Sequence, residues 1–215
     1  MQQINLHRNS QKRFVEKDFV YFITTVTQGR FPFFQEDVFC DLFIENLKLC
    51  KKLKKFKLFG FVVLLDHVHL LIQPGDEFNI SKVMFSIKKQ FSHDVNRVIG
   101  YNDFYSLKNE GSKNEGGQTF ARLQDDDILN YQENIKKLGN NQYFEKYFDR
   151  FCDMIPFKWQ ESFHDHVIRS EEDFFNHLNY IYFNCVKHNI CADPGKYRWL
   201  FSNREFACFI DGYFD

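Results

Sequence analysis

FVVLLDHVHLLIQP, residues 61–74, is an apolar run that reads as a β-strand yet carries two histidines, His67 and His69, one valine apart. Successive side chains of a strand point to opposite faces, so both imidazoles project the same way, while Val68, Leu70 and Ile72 line the other face for helices to cover. Two imidazoles on one face of a sheet are half of a metal site, because neutral imidazole is the commonest protein ligand for divalent ions. The same spacing also suits two histidines exposed on an edge strand. A metal reading therefore needs a third ligand and a chemical partner from elsewhere in the chain.

The neighbouring elements follow from pattern. Phe19 to Thr27 (FVYFITTVT) is β-branched and aromatic and reads as a first strand, broken by Gly29-Arg30-Phe31-Pro32. Between Glu36 and Leu53, Phe39, Phe43, Leu47, Cys50 and Leu53 recur at helical spacing, and Lys51, Lys52, Lys54 and Lys55 suit that helix's C-terminus. Lys57 to Leu65 is a second strand. Asp66 marks a turn or bulge before the histidine strand, which Pro74-Gly75-Asp76 closes. Asn79 to Ile99 is a second helix that buries Ile80, Val83, Ile87, Phe91 and Val98. Its other side offers Lys88, Lys89, His93 and Arg97, either a solvated face or a set of phosphate contacts for DNA.

Residues 100–153 change character. Asn, Gly, Lys and Asp dominate their first half, Asn109 to Gln118 reads as a flexible loop, and Ile128 to Cys152 has aromatics enough for one or two helices. The block reads as a variable insertion within a single domain spanning residues 1–215, whose core is 15–100 and 157–190. Phe157 to Arg169 is extended. Ser170 to Asn189 is the last strong helix, capped by Ser170 with Asp173 three residues on. Its apolar stripe is Phe174, Leu178, Ile181 and Cys185. At 100° per residue, Asp173, His177, Tyr180, Asn184 and Lys187 form a second, polar stripe, with Tyr180 and Asn184 one turn apart.

That stripe supplies what the histidine strand lacks. An asparagine amide oxygen can complete the coordination of a hard divalent ion beside two imidazoles, leaving positions for water or phosphate oxygens. A tyrosine hydroxyl one turn away can attack phosphorus and keep the bond energy as a phosphotyrosine. A tyrosine at a helix boundary is also an ordinary structural residue, and Tyr182, flanking the apolar stripe, reads as core.

Composition sets the limits. The chain has 215 residues, 44% hydrophobic with 28 phenylalanines, which is enough for a real core. No stretch approaches a membrane span, and the first residues lack the apolar core of a signal peptide, so a cytoplasmic protein is expected. Six cysteines, at 40, 50, 152, 185, 191 and 208, show no CxxC and read as reduced, mostly buried thiols. The net charge of −1 is not that of a typical nucleic-acid binder, but residues 1–100 carry 15 Lys+Arg against 10 Asp+Glu. The basic excess thus surrounds the histidine strand, where local field governs attraction for a polyanion.

His67-Val68-His69 within an apolar strand resembles the HUH signature. The block Trp159 to Asn189, WQESFHDHVIRSEEDFFNHLNYIYFNCVKHN, resembles the C-terminal block of REP-associated tyrosine transposases, relatives of small insertion-sequence transposases. With Phe19 to Thr27 and Ser86 to Phe91, the resemblance covers most of 15–100 and 157–190. It departs at Asn184-Cys185-Val186, where the family reads Asn-Pro-Val, and at Leu65-Asp66, where it reads Pro-Asn or Pro-Glu.

The resemblance implies a ferredoxin-like antiparallel sheet, α+β in class, with helices on one face and an HUH-type catalytic site on the open face. It also implies Mg²⁺ or Mn²⁺ as cofactor and single-stranded or hairpin DNA as partner. Tyr180 is then the nucleophile, His67 and His69 are metal ligands, and Asn184 is the third. His166 and Arg169 also match the block, as DNA contacts, as part of the metal's outer shell, or as supporting polar residues of the core. A homodimer and a monomer are both compatible with such relatives. The expected activity is cleavage and rejoining of DNA through a phosphotyrosine. Two alternatives are a catalytically silent DNA-binding regulator and a water-using phosphodiesterase in which Tyr180 has no role.

Overall fold

A computed structural model describes residues 19–99 and 156–213, together with positions 101, 131 and 133. The block expected to be an insertion lies almost wholly outside the described residues. Four strands and three helices make up the described architecture: β1 (Tyr21–Val26), α1 (Asp37–Lys54), β2 (Lys57–Val63), β3 (His67–Gln73), α2 (Ile80–Val98), β4 (His164–Val167) and α3 (Glu171–Lys187).

The strands form one sheet in the order β2-β3-β1-β4, every neighbouring pair antiparallel. This is the ferredoxin-like arrangement expected from the sequence. The apolar run at 61–74 splits between two strands: β2 ends at Val63 and β3 starts at His67. Asp66 sits in the tight connection, which the Leu64 N–H closes by donating to the His67 carbonyl at 2.9 Å.

The periodicities explain the layers. In β3, Val68, Leu70 and Ile72 face α1 and α2 in the larger core cluster, where Phe39, Phe43, Phe91, Phe157 and Trp159 interlock. Asn79 caps α2 by accepting from the Lys82 N–H, and Ser170 caps α3 from the Asp173 N–H. Lys55 ends α1 in the left-handed conformation at φ 50°.

The opposite sheet face differs from the expectation of an open surface, because α3 lies on it. Its stripe Phe174, Ile181 and Cys185 packs with Phe59, Val62, Leu64 and Leu71 into a second cluster. The physical reason is in β2: the register shift between Leu58 and Gly60 turns Phe59, Val62 and Leu64 to this side, and so large an apolar patch must be covered. Gly60 admits the helix closely, since a Cβ there would lie 2.7 Å from Leu178 Cδ1. Helices α1 and α2 do share one face, as expected; α3 is the layer that the sequence reading left out of the sheet packing.

The segment after α3 covers the β2 edge. The Val63 N–H donates to the Trp199 carbonyl and the Phe201 N–H to the Phe61 carbonyl, so the edge is not left as an open template. Phe206 and Phe209 join the larger core. Among the described cysteines, Cys40, Cys50 and Cys185 are buried and free, Cys191 is half-buried and Cys208 exposed.

Candidate active site

His67, His69 and α3 meet on the second face. Strand alternation puts both histidines there, with Thr24 beside His69 on β1 and His164 and His166 further along on β4. Because α3 runs over them, the histidines are 6% and 4% exposed, not open. Asn184 is fully buried, whereas Tyr180, one turn earlier, is 38% exposed. The polar stripe of α3 is therefore exposed at Tyr180 and buried in the core at Asn184. Three of the four buried residues of α3, Ile181, Asn184 and Cys185, lie in its C-terminal half.

Each histidine is oriented by a hydrogen bond at Nδ1. The His67 Nδ1 lies 2.5 Å from Asp66 Oδ1, and the His69 Nδ1 lies 2.8 Å from Thr24 Oγ1. A ring that donates from Nδ1 carries its lone pair on Nε2, which is the arrangement a metal ligand needs. Arg30 Nη1 holds the far oxygen of Asp66 at 3.1 Å. Burial pulls the Asp66 carboxyl upward, but the hydrogen bonds from His67 and Arg30 prevail and keep it below the usual carboxylate range.

Burial also keeps the imidazoles neutral. It pushes the His67 pKa down, against the pull of Asp66, and pushes His69 down to about 3, with His67, His188 and Lys187 adding like-charge repulsion. Neutral imidazole is the form that binds metal.

Among the described residues, His69 Nε2 and both amide atoms of Asn184, Oδ1 and Nδ2, are buried without a hydrogen bond. Such atoms ordinarily cost about 1–3 kcal/mol each. A divalent ion held by His67, His69 and the Asn184 oxygen would satisfy two of the three, so the donor set fits the metal that the resemblance implies.

Tyr180 stands on the solvent side of His69. Its ring is edge-on to His69 at 5.3 Å and to Phe22 at 5.7 Å, and Lys187 Nζ sits 4.8 Å over it. One residue escaped the sequence reading: His188, whose ring is 5.0 Å from that of His67. It continues the 180, 184 stripe by four more positions, and extending that spacing past the helix end would have found it.

The expected DNA contacts divide into two groups. Lys88, Lys89, His93 and Arg97 lie on α2, across the sheet from the histidines, so the fold does not bring them to this pocket. Lys88 Nζ is engaged with the carbonyls of Gln160 and Ser162, and His93 with Asp94. His166 and Arg169 are on the histidine side, exposed at the far end of α3. His166 is bonded to Asp173, and the Arg169 N–H also reaches that carboxylate.

Three comparisons bear on this arrangement. The IS200-like transposase family matches residues 16–109, which include both histidines and stop short of Tyr180 and Asn184. A Haemophilus influenzae protein named as a REP-associated tyrosine transposase is 24% identical over 181 residues, 84% of this chain and 77% of that one. A solved REP-associated tyrosine transposase, bound in that structure to a REP hairpin, matches the fold with a TM-score of 0.59 at 18% identity, over 95% of this chain and 89% of that one. The family match falls on the histidine-bearing half of the described fold, the Haemophilus influenzae protein is similar over most of the chain, and the solved structure shares the fold.

Proposed function

We propose, with the resemblance to REP-associated tyrosine transposases as premise, that this chain binds hairpin or single-stranded DNA and cleaves and rejoins it through Tyr180. What supports the reading is one convergence. An accessible tyrosine stands edge-on to a buried imidazole whose Nε2 has no protein partner, one helical turn before a buried amide whose two polar atoms have none either.

In the proposed reaction the Tyr180 oxygen gives up its proton to solvent and attacks the scissile phosphorus. One P–O bond forms as another breaks, and the expelled oxygen takes a proton from solvent, leaving a phosphotyrosine and a free hydroxyl end. That hydroxyl, or the end of another strand, reverses the exchange without an added energy source. His67, His69 and Asn184 would hold a divalent ion, Mg²⁺ or Mn²⁺, which would supply Lewis-acid stabilisation of the charge developing on the phosphate.

Asp66 and Thr24 keep the two imidazoles aimed. Lys187 places positive charge beside the Tyr180 ring, where a phosphate must approach. Arg169 offers a further cation before the start of α3, and the α2 cations are left for more distant DNA. Because one chain supplies the nucleophile and all three ligands, a second copy is not needed to complete the site. The same machinery makes the protein a DNA-recombination enzyme.

The test is incubation with labelled single-stranded hairpin DNA and Mn²⁺, then denaturing electrophoresis, with Tyr180→Phe alongside. A metal-dependent protein–DNA adduct that is absent from the variant is expected. Hairpin binding with no adduct from either protein would overturn the enzyme reading in favour of a silent regulator. Cleavage surviving in the variant would point to attack by water.

A further inference from the structure

A second cluster of metal-ligating side chains lies at the other end of α3. His166 comes from the edge strand β4, Asp173 from the first turn of α3, and His177 from the next turn. His166 Nε2 lies 3.0 and 3.2 Å from the two Asp173 oxygens, and His177 Nδ1 lies 3.0 Å from Asp173 Oδ1. One donor atom from each of the three lies within 4.8 Å of the other two. The imidazoles stack at 4.7 Å and 19°, presenting two nitrogens to one carboxylate from two separate elements.

We propose that His166, Asp173 and His177 form a second divalent-metal site, of the zinc class, that ties the start of α3 to the edge strand. A tetrahedral ion with bonds of about 2.0–2.2 Å keeps its ligand atoms roughly 3.3–3.6 Å apart, so the two nitrogen–carboxylate spacings of 3.0 Å need only a slight opening, with His177 Nδ1 giving up its proton and its 2.9 Å bond to the Asp173 carbonyl. Two of three donors are imidazole, which selects zinc-like ions over magnesium. The Arg169 N–H bonds the same carboxylate at 3.0 Å, an outer contact that fixes its orientation. The three side chains are 46%, 23% and 24% exposed, so solvent reaches the fourth position.

This site is separate from the one formed by His67, His69 and Asn184. The Phe22 ring stands between them, stacked on His69 at 5.2 Å on one side and tilted against His177 at 4.7 Å on the other. It does not depend on Tyr180 being a nucleophile. An ion here would brace the helix three residues before Tyr180, and so bear on how steadily that side chain is presented.

The experiment is Co²⁺ titration of the metal-stripped full-length protein, following the visible absorption of tetrahedral cobalt, with a Zn²⁺ competition step. Wild type, His177→Ala, His166→Gln and Asn184→Ala are compared, with circular dichroism to verify folding. His166 is the most exposed ligand, so its variant serves if His177→Ala fails to fold. The expected result is that either ligand variant binds one equivalent fewer than wild type, or at least ten times more weakly. Asn184→Ala keeps the tetrahedral band. Undiminished stoichiometry and band intensity in both ligand variants would overturn the proposal, as would a band lost only in Asn184→Ala. Either result would leave His166, Asp173 and His177 as a metal-free ion-pair network.

Discussion

Asn184→Leu separates a metal ligand from a structural amide. The side chain is fully buried and neither amide atom has a protein partner, so the metal-free protein bears two desolvated polar groups at that position. Leucine has nearly the same shape and no polar atoms. With unsatisfied groups costing about 1–3 kcal/mol each, the substitution should stabilise the protein in chelator by about 1–3 kcal/mol, allowing for imperfect packing. For a domain of this size each kcal/mol moves Tm by about 2–4 °C. A metal at about 100 times its dissociation constant should stabilise the unsubstituted protein by about 2.7 kcal/mol, and that increment disappears with the ligand oxygen. The order of stability should therefore narrow or reverse as Mn²⁺ is added. Thermal melts of both proteins, in chelator and across a Mn²⁺ series, read this directly. Lower stability of the variant in chelator would refute the orphaned-amide argument, and an undiminished Mn²⁺ increment would refute Asn184 as a ligand.

Two further outcomes follow from the same pocket. Burial lowers the His69 pKa to about 3, so the unfolded chain binds a proton that the folded chain refuses between that value and the ordinary imidazole range. Stability in chelator should be complete above pH ~6.5 and fall on acidification, by about 2 kcal/mol at pH 5 from this residue alone. The lowered His67 acts in the same direction, and urea unfolding that gives equal stability at pH 5 and 7.5 would contradict it. Thr24→Val removes the partner of His69 Nδ1 and should weaken Mn²⁺ binding about 10–100-fold while Thr24→Ser retains it, as isothermal titration would measure. Equal affinity in all three proteins would show that the hydroxyl does not orient the ring.

Much of this arrangement is legible in the chain itself. Alternation along β3 separates the histidines from Val68, Leu70 and Ile72, and that separation survives in the sheet because a strand has only two faces. The 3.6-residue period places Tyr180 and Asn184 one turn apart in any helix that includes both. Ser170 with Asp173 marks a helix start through a side chain to backbone bond that depends only on local sequence. Such readings succeed because the interactions span a few residues.

Other features depend on contacts between residues far apart in the chain. The burial of Asn184 and His69 comes from α3 docking on the patch made by Phe59, Val62 and Leu64, which in turn exists because β2 shifts register near Gly60. The shift leaves no periodic trace in the sequence. The pairing of Thr24 with His69 crosses 45 positions, and that of His166 with His177 joins a strand to a helix. The sequence by itself determined which side chains share a strand face or a helix stripe, since backbone geometry repeats every two residues in one case and every 3.6 in the other. Only the tertiary structure decided which faces meet, which of their polar atoms lose water, and therefore which carry a demand for a ligand.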